Sequence, residues 1–209
     1  MKMGRVTSRS DCNAPRAAWR LIESGFRQVF FALIGWAYFV SAVACAQQTK
    51  PSDYQVKAAY IYNFGKFVKW PPMSAAGRTG VFTICAFEND SFGTVLQSTL
   101  ARASLDGRPV VFKRLEKPRD ASGCHILFID SGQETHLPEI LAAAKEASVL
   151  TVSDMPDFTK RGGMIQFVLI GDRIRFEINL ASAESASLVL ASDLLKVATA
   201  VRRSPESGG

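Results

Sequence analysis

Histidine is scarce in this chain, with two residues among 209, and cysteine hardly less so, with four. That scarcity removes whole classes of chemistry. A zinc site needs three or four Cys and His ligands at close spacing, and the two histidines, His125 and His136, stand far from such a pattern. Ser-His-Asp catalysis would have to recruit one of those histidines, and no G-x-S-x-G nucleophile turn accompanies either. Cys124 cannot use His125 as its base, because neighbouring residues of a strand point to opposite faces. Dense basic runs are also missing beyond residue 47. The formal charge of +6 comes largely from the front of the chain, where Lys2, Arg5, Arg9, Arg16, Arg20 and Arg27 face only Asp11 and Glu23. The remainder holds 19 basic and 17 acidic residues, a balance that gives no support to nucleic-acid binding. Internal repeats and low-complexity tracts are absent as well.

What is present begins with a leader. Val29 to Val40 runs without a charge, and Ala44-Cys45-Ala46 supplies small residues before Gln47. A basic front, an apolar run and an A-x-A step read as a secretory signal over residues 1–46. Two alternatives keep the same direction of travel: an uncleaved anchor, since about 20 apolar residues span a bilayer, and lipidation at Cys45. All three place the domain outside the cytoplasm. The expected organisation is a signal segment over 1–46, one α/β domain over 47–201 and a polar tail over 202–209. Cys12 and Cys45 belong to the leader, so Cys85 and Cys124 are the thiols of the exported part. Two thiols in an oxidising compartment argue for one disulfide.

The exported part is organised around Ser52–Pro72. Ser52 and Gln55 have capping-box spacing, which predicts a helix start. Val56, Ala59, Tyr60, Ile61, Phe64, Phe67, Val68 and Trp70 cover a broad apolar arc opposite Tyr62, Lys66 and Lys69. Asn63 falls inside that arc and needs partners if buried. Pro71 and Pro72 end the helix. Met73–Gly80 then reads as a linker. Strands are predicted at Val81–Phe87, Pro109–Phe112, Cys124–Asp130 and Ser148–Val152. Helices are predicted at Ser91–Ala103 and Pro138–Glu146, with a turn at Asp106-Gly107. Alternating strands and helices predict crossovers and a mostly parallel sheet flanked by helices. Met164–Ile170 and Arg173–Asn179 flank Gly171-Asp172 as an antiparallel hairpin, and Leu188–Val197 is expected to close the fold as a helix. The second hairpin strand puts Ile174, Phe176 and Ile178 on one face and Arg173, Arg175, Glu177 and Asn179 on the other. A charged face implies solvent or a partner there.

Candidate chemistry is thin. Asp130 ends a predicted parallel strand, where α/β folds place functional groups. With Glu88 and Asp90 it forms a conceivable acidic cluster, although a capping carboxylate is the simpler reading. Gly162-Gly163 reads as an anion cradle or, more simply, as a turn. No cofactor and no metal are expected.

Several blocks, in order, carry a resemblance to a known family: YQVKAAYIYNFGKFVKWP over Tyr54–Pro71, FTIC over Phe82–Cys85, and CHILFI over Cys124–Ile129. GGMI over Gly162–Ile165, RFEINL over Arg175–Leu180 and SDLLKVA over Ser192–Ala198 complete the set. Together they span nearly everything between residues 53 and 201, and the chain resembles the YfiR family of exported regulators. The resemblance implies a non-enzymatic periplasmic α/β protein that restrains a membrane-bound diguanylate cyclase through that enzyme's periplasmic region. It also implies a redox-sensitive disulfide that maintains the active regulator, at positions matched by Cys85 and Cys124. The family's additional cysteine pair has no counterpart in the exported domain. The partner expected is the periplasmic region of an inner-membrane diguanylate cyclase or another membrane sensor, with a homodimer as a further state and no nucleic acid. Arg173, Arg175 and Glu177 are the candidate docking residues. A periplasmic small-molecule sensor is the alternative function, and a hydrolase built on the acidic cluster is a third.

Overall fold

The computed structural model of the chain describes residues 51–72, 80–87 and 91–203. The leader, most of the Met73–Gly80 linker, Glu88, Asp90 and the tail beyond residue 203 lie outside the described residues.

The first helix, α1 (Asp53–Phe67), begins on the capping box that the sequence predicts: Gln55 N–H donates to Ser52 Oγ and Ser52 N–H to Gln55 Oε1. The helix is shorter than the apolar run. It stops at Phe67, and Val68–Lys69 becomes a two-residue strand, β1, so Trp70 lies in extended chain beyond it. The buried stripe also differs from the predicted arc. Ala58, Ile61, Phe64 and Gly65 face the core, whereas Ala59 and Phe67 are exposed. Gly65 explains the rotation. A Cβ there would sit 2.6 Å from Leu105 Cδ1, so the helix lies close against Leu105 where it has no side chain. Asn63 is exposed, with its amide oxygen accepting from Lys66. Tyr62, placed on the polar side by periodicity, is half-buried and donates its hydroxyl to Ser104 O at 2.7 Å.

Eight strands form the main sheet in the order β10-β8-β7-β6-β5-β2-β4-β3. In chain order they are β2 (Phe82–Phe87), β3 (Ser104–Leu105), β4 (Arg108–Leu115), β5 (Ile126–Ile129), β6 (Leu150–Ser153), β7 (Ile165–Ile170), β8 (Arg173–Asn179) and β10 (Ala200–Arg202). Neighbours from β4 through β2, β5 and β6 to β7 run parallel. The β7–β8 and β3–β4 pairs are antiparallel. The chain enters at β2, steps outward to β4, and returns to the other side of β2 as β5. That reversal is the topological switch point of a doubly wound sheet. Asp106 and Gly107, at φ 50 and 77, make the tight turn between β3 and β4, in the left-handed backbone that such two-residue hairpins require.

Helix α2 (Ser91–Leu100) and α1 cover one face of the sheet, and α3 (Leu137–Glu146) covers the other. The central strands are buried along their whole length, as a sheet with helices on both faces demands. On the α1 side, Phe64 packs against the rings of Tyr60, Phe167 and Phe176. Each such fully buried side chain contributes about 1.5–3 kcal/mol.

The closing segment is more broken than its leucine pattern predicts. Leu180–Ser185 forms a short helix, α4; Val189–Leu190 is a strand, β9, pairing with β1; and only Ser192–Val197, α5, is helical beyond it. Leu188, Leu190 and Leu194 are buried, but Val197 is exposed. Asn179 initiates this segment. It belongs by alternation to the charged face of β8, yet it is buried, accepting from Ser182 N–H and donating to Thr159 O at 2.7 Å.

Candidate functional site

Cys85 lies in the middle of β2, and Cys124 follows a 3-10 turn (Pro118–Gly123) that leads into the neighbouring strand β5. The turn closes by Cys124 N–H donating to Ala121 O, which delivers the Cys124 side chain to the face that Cys85 also occupies. The two are joined by a disulfide with Cα atoms 6.0 Å apart, across 39 residues of sequence. Both cysteines are fully buried beneath α3. The cross-link therefore ties the two strands that flank the switch point, and by the chain-entropy relation it contributes about 3–4 kcal/mol.

His125, the next residue, faces the opposite side. Its Nδ1 accepts from Thr83 N–H at 3.0 Å, and its ring stacks on Phe82 with centroids 4.3 Å apart. Trp70 Nε1 donates to His125 O at 3.2 Å and meets the imidazole edge-on. With Nδ1 an acceptor, the neutral ring carries its proton on Nε2. The sequence shows His125 and Trp70 separately and gives no sign that they meet. Their contact fastens the chain beyond α1 to the strand that holds Cys124. The arrangement is a structural clasp.

At the carboxyl end of the parallel strands, Asp130 accepts from Gly132 N–H at 2.7 Å and caps the 3-10 turn Ser131–His136. This is the capping role; Glu88 and Asp90, the other members of the expected acidic cluster, are outside the described residues. Asp154, which follows β6, is engaged by Lys57 of α1 at 2.6 Å. His136 ends that 3-10 turn at the start of α3. Among the described residues, no group of three or more His, Cys, Asp and Glu side chains could hold a metal ion.

Gly162-Gly163 proves to be a turn with two separate demands. Gly162 adopts φ 98, a left-handed backbone that favours glycine. At 163 a Cβ would overlap the ring of Phe158, whose carbonyl accepts from Gly163 N–H.

Arg173 and Arg175 are exposed on the outer face of β8, and Glu177 is half-covered there. Their cross-strand neighbours on β7 are Ile170, Val168 and Gln166 respectively. Near the hairpin tip Leu169 is 63% and Ile170 55% exposed. Arg173, Arg175 and Glu177 make no ion pair with any described residue. Beside this face, Asp157 is held below its ordinary pKa by a hydrogen bond from Lys160, then by the charges of Lys160, Arg202 and Arg161. The docking candidates and the disulfide are not brought together: β5, β6 and β7 separate β2 from β8.

Fold and site together define a doubly wound α/β domain whose two central strands are stapled by a buried disulfide. The profile of the YfiR/HmsC-like family matches residues 54–199, and the chain belongs to that family. No curated protein sequence matches the chain. Among solved structures, it is similar to a conserved domain protein from Vibrio cholerae at 12% identity and TM-score 0.49, covering 72% of this chain and 60% of that one. It is similar also to the ABC domain in complex with L-Trp from Streptococcus pneumoniae, at 14% identity and TM-score 0.48, over 69% and 60% of the two chains. A substrate binding protein with adhesive properties from Clostridium difficile matches at 11% identity and TM-score 0.41, over 62% and 56%. The chain thus spans 60% or less of the length of these three structures.

Proposed function

We propose that the protein is an exported, non-enzymatic regulator that binds the periplasmic part of an inner-membrane signalling protein, a diguanylate cyclase, and represses cyclic-di-GMP synthesis. The observation that carries this reading is the family match over residues 54–199. Two further features support it. Residues 1–46 have the pattern of a secretory signal, which makes 47–201 the exported domain. The Cys85–Cys124 disulfide suits an oxidising compartment. Among the described residues, no helix is long and apolar enough to cross a membrane.

Mechanistically, repression requires that the regulator bind one conformation of the cyclase more tightly than the other, since equal affinity shifts no equilibrium. The outer face of β8, with Arg173, Arg175 and Glu177, is the proposed docking surface. Cations there with no ion-pair partner among the described residues form charge-assisted hydrogen bonds without first giving up an internal pair.

Deleting the gene is expected to raise cellular cyclic-di-GMP, and the mature domain is expected to retain an inner-membrane protein with a cyclase domain when passed over solubilised membranes. Unchanged cyclic-di-GMP under derepressing conditions, together with no retained membrane protein, would overturn the proposal. Substituting Arg173 and Arg175 by Glu should abolish retention while leaving the thermal unfolding midpoint unchanged.

A further inference from the structure

On the face of the sheet that α3 covers, an open groove of about 310 Å³ lies between α3, the turn before β7 and α4. Its floor is Thr151 and Met164, both buried. Met164 N–H donates to Thr151 Oγ1 at 3.1 Å, which fixes that hydroxyl. The Thr151 proton itself has no acceptor among the described residues, so the floor carries an unspent donor.

The lining is of two kinds. One is cationic: Lys145 and Arg161 both line the groove. Arg161 Nη1 donates to Glu134 Oε1 at 2.7 Å, which restrains the guanidinium and leaves the rest of its donor fork open. Lys145 makes no ion pair with a described residue, so Glu134 offsets one of two positive charges. Gly162 adds a backbone N–H that is bonded to no described residue. Ser182 and Ser185 of α4 bring hydroxyls to the rim. The apolar part is Pro138 and Leu141, which share α3 with Lys145. An inorganic anion would satisfy the charged part and leave the apolar part in water. An uncharged apolar solute would do the reverse, at the cost of desolvating the cations. A molecule with both parts meets both requirements.

We infer that this groove binds a small organic carboxylate, its acid group held between Lys145 and Arg161 and its apolar part against Pro138 and Leu141. The occupant bridges α3 to the turn before β7, and so holds α3 against the sheet face that contains the disulfide. This is independent of the partner proposed above: loss of the groove leaves the outer face of β8 untouched, and loss of that docking leaves the groove intact.

Phenylacetate is a suitable probe, with 2-phenylethanol lacking the charge and inorganic phosphate lacking the apolar part. In amide-resolved NMR titrations of protein purified from cells expressing the full chain, phenylacetate is expected to shift Lys145, Gly162, Ser182 and Ser185 saturably, with a Kd below about 1 mM. Arg161→Ala should weaken it about tenfold, the size of one charge-assisted hydrogen bond. Arg173→Ala should leave it unchanged, and a normal unfolding midpoint for Arg161→Ala shows that the fold is intact. Three results would each overturn the inference: no saturable shift at these residues, an equal response to phosphate or phenylethanol, or unaltered affinity in both Arg161→Ala and Lys145→Ala.

Discussion

The two faces of the sheet are held by different means. On the α1 and α2 face, 27 buried residues form a core rich in interlocking rings. Among the described residues the α3 face has 13, two of them aromatic, and Cys85 and Cys124 lie there. The larger cluster buries more apolar side chains, and each favours the folded state. On the smaller face, a ten-residue helix and a 3-10 turn must be kept in place over strands β2 and β5, and the Cys85–Cys124 bond restricts the alternatives open to the unfolded chain. A covalent link has most to contribute where packing supplies least. It also places the one chemically switchable bond of the described domain under the less densely stabilised layer.

The sharpest challenge to that contrast is Phe64→Ala. Removing a ring that touches Tyr60, Phe167 and Phe176 should cost about 3–5 kcal/mol, read as a fall in the urea midpoint. Replacing both Cys85 and Cys124 by Ala should cost slightly less, about 3–4 kcal/mol. Its signature is spatial: hydrogen exchange should accelerate in α3 and the Pro118–Gly123 turn first, with α1 retaining its protection. Uniform acceleration across both faces would mean that the layers are one cooperative unit and that the contrast has no energetic content.

Asn179→Ala tests where the closing segment is attached. The side chain caps α4 and also bonds Thr159 O, so its loss should cost about 1–2 kcal/mol, while Asn179→Asp should retain the cap. The smallest effect belongs to Asp157. Its pKa is lowered by Lys160, so its contribution is present above the ordinary carboxylate range and disappears as pH falls through the lowered value. Asp157→Asn should therefore reduce the unfolding midpoint slightly at neutral pH and not at all once the carboxylate is protonated in both folded and unfolded states.

Much of the fold is legible from local chemistry. Ser52 and Gln55 announce the start of α1, Asp106-Gly107 and Gly171-Asp172 mark their turns, and the alternation in β8 separates Ile174, Phe176 and Ile178 from Arg173 and Arg175. The departures from periodicity share one cause. Ala59, Phe67, Tyr62 and Asn179 are placed by long-range neighbours: Leu105 pressed against Gly65, Ser104 O accepting from Tyr62, Thr159 O accepting from Asn179. Periodicity sees an element's own faces and not how far another element covers them. The leucines of Leu188–Val197 depart from a single helix for the same reason, since β1 draws Val189–Leu190 into a strand.

Residue identity alone determined that Cys85 and Cys124 are the cysteines that follow the leader and that a helix begins at Ser52, because these follow from composition and from contacts within one turn of chain. Only tertiary structure could decide that Trp70 would fasten onto His125, that Asp130 would be consumed as a cap, and that Lys145 and Arg161 would share a groove. Those pairings join residues distant in sequence, or depend on which neighbour reaches a side chain first, and their free energy exists only once the sheet has brought the elements together.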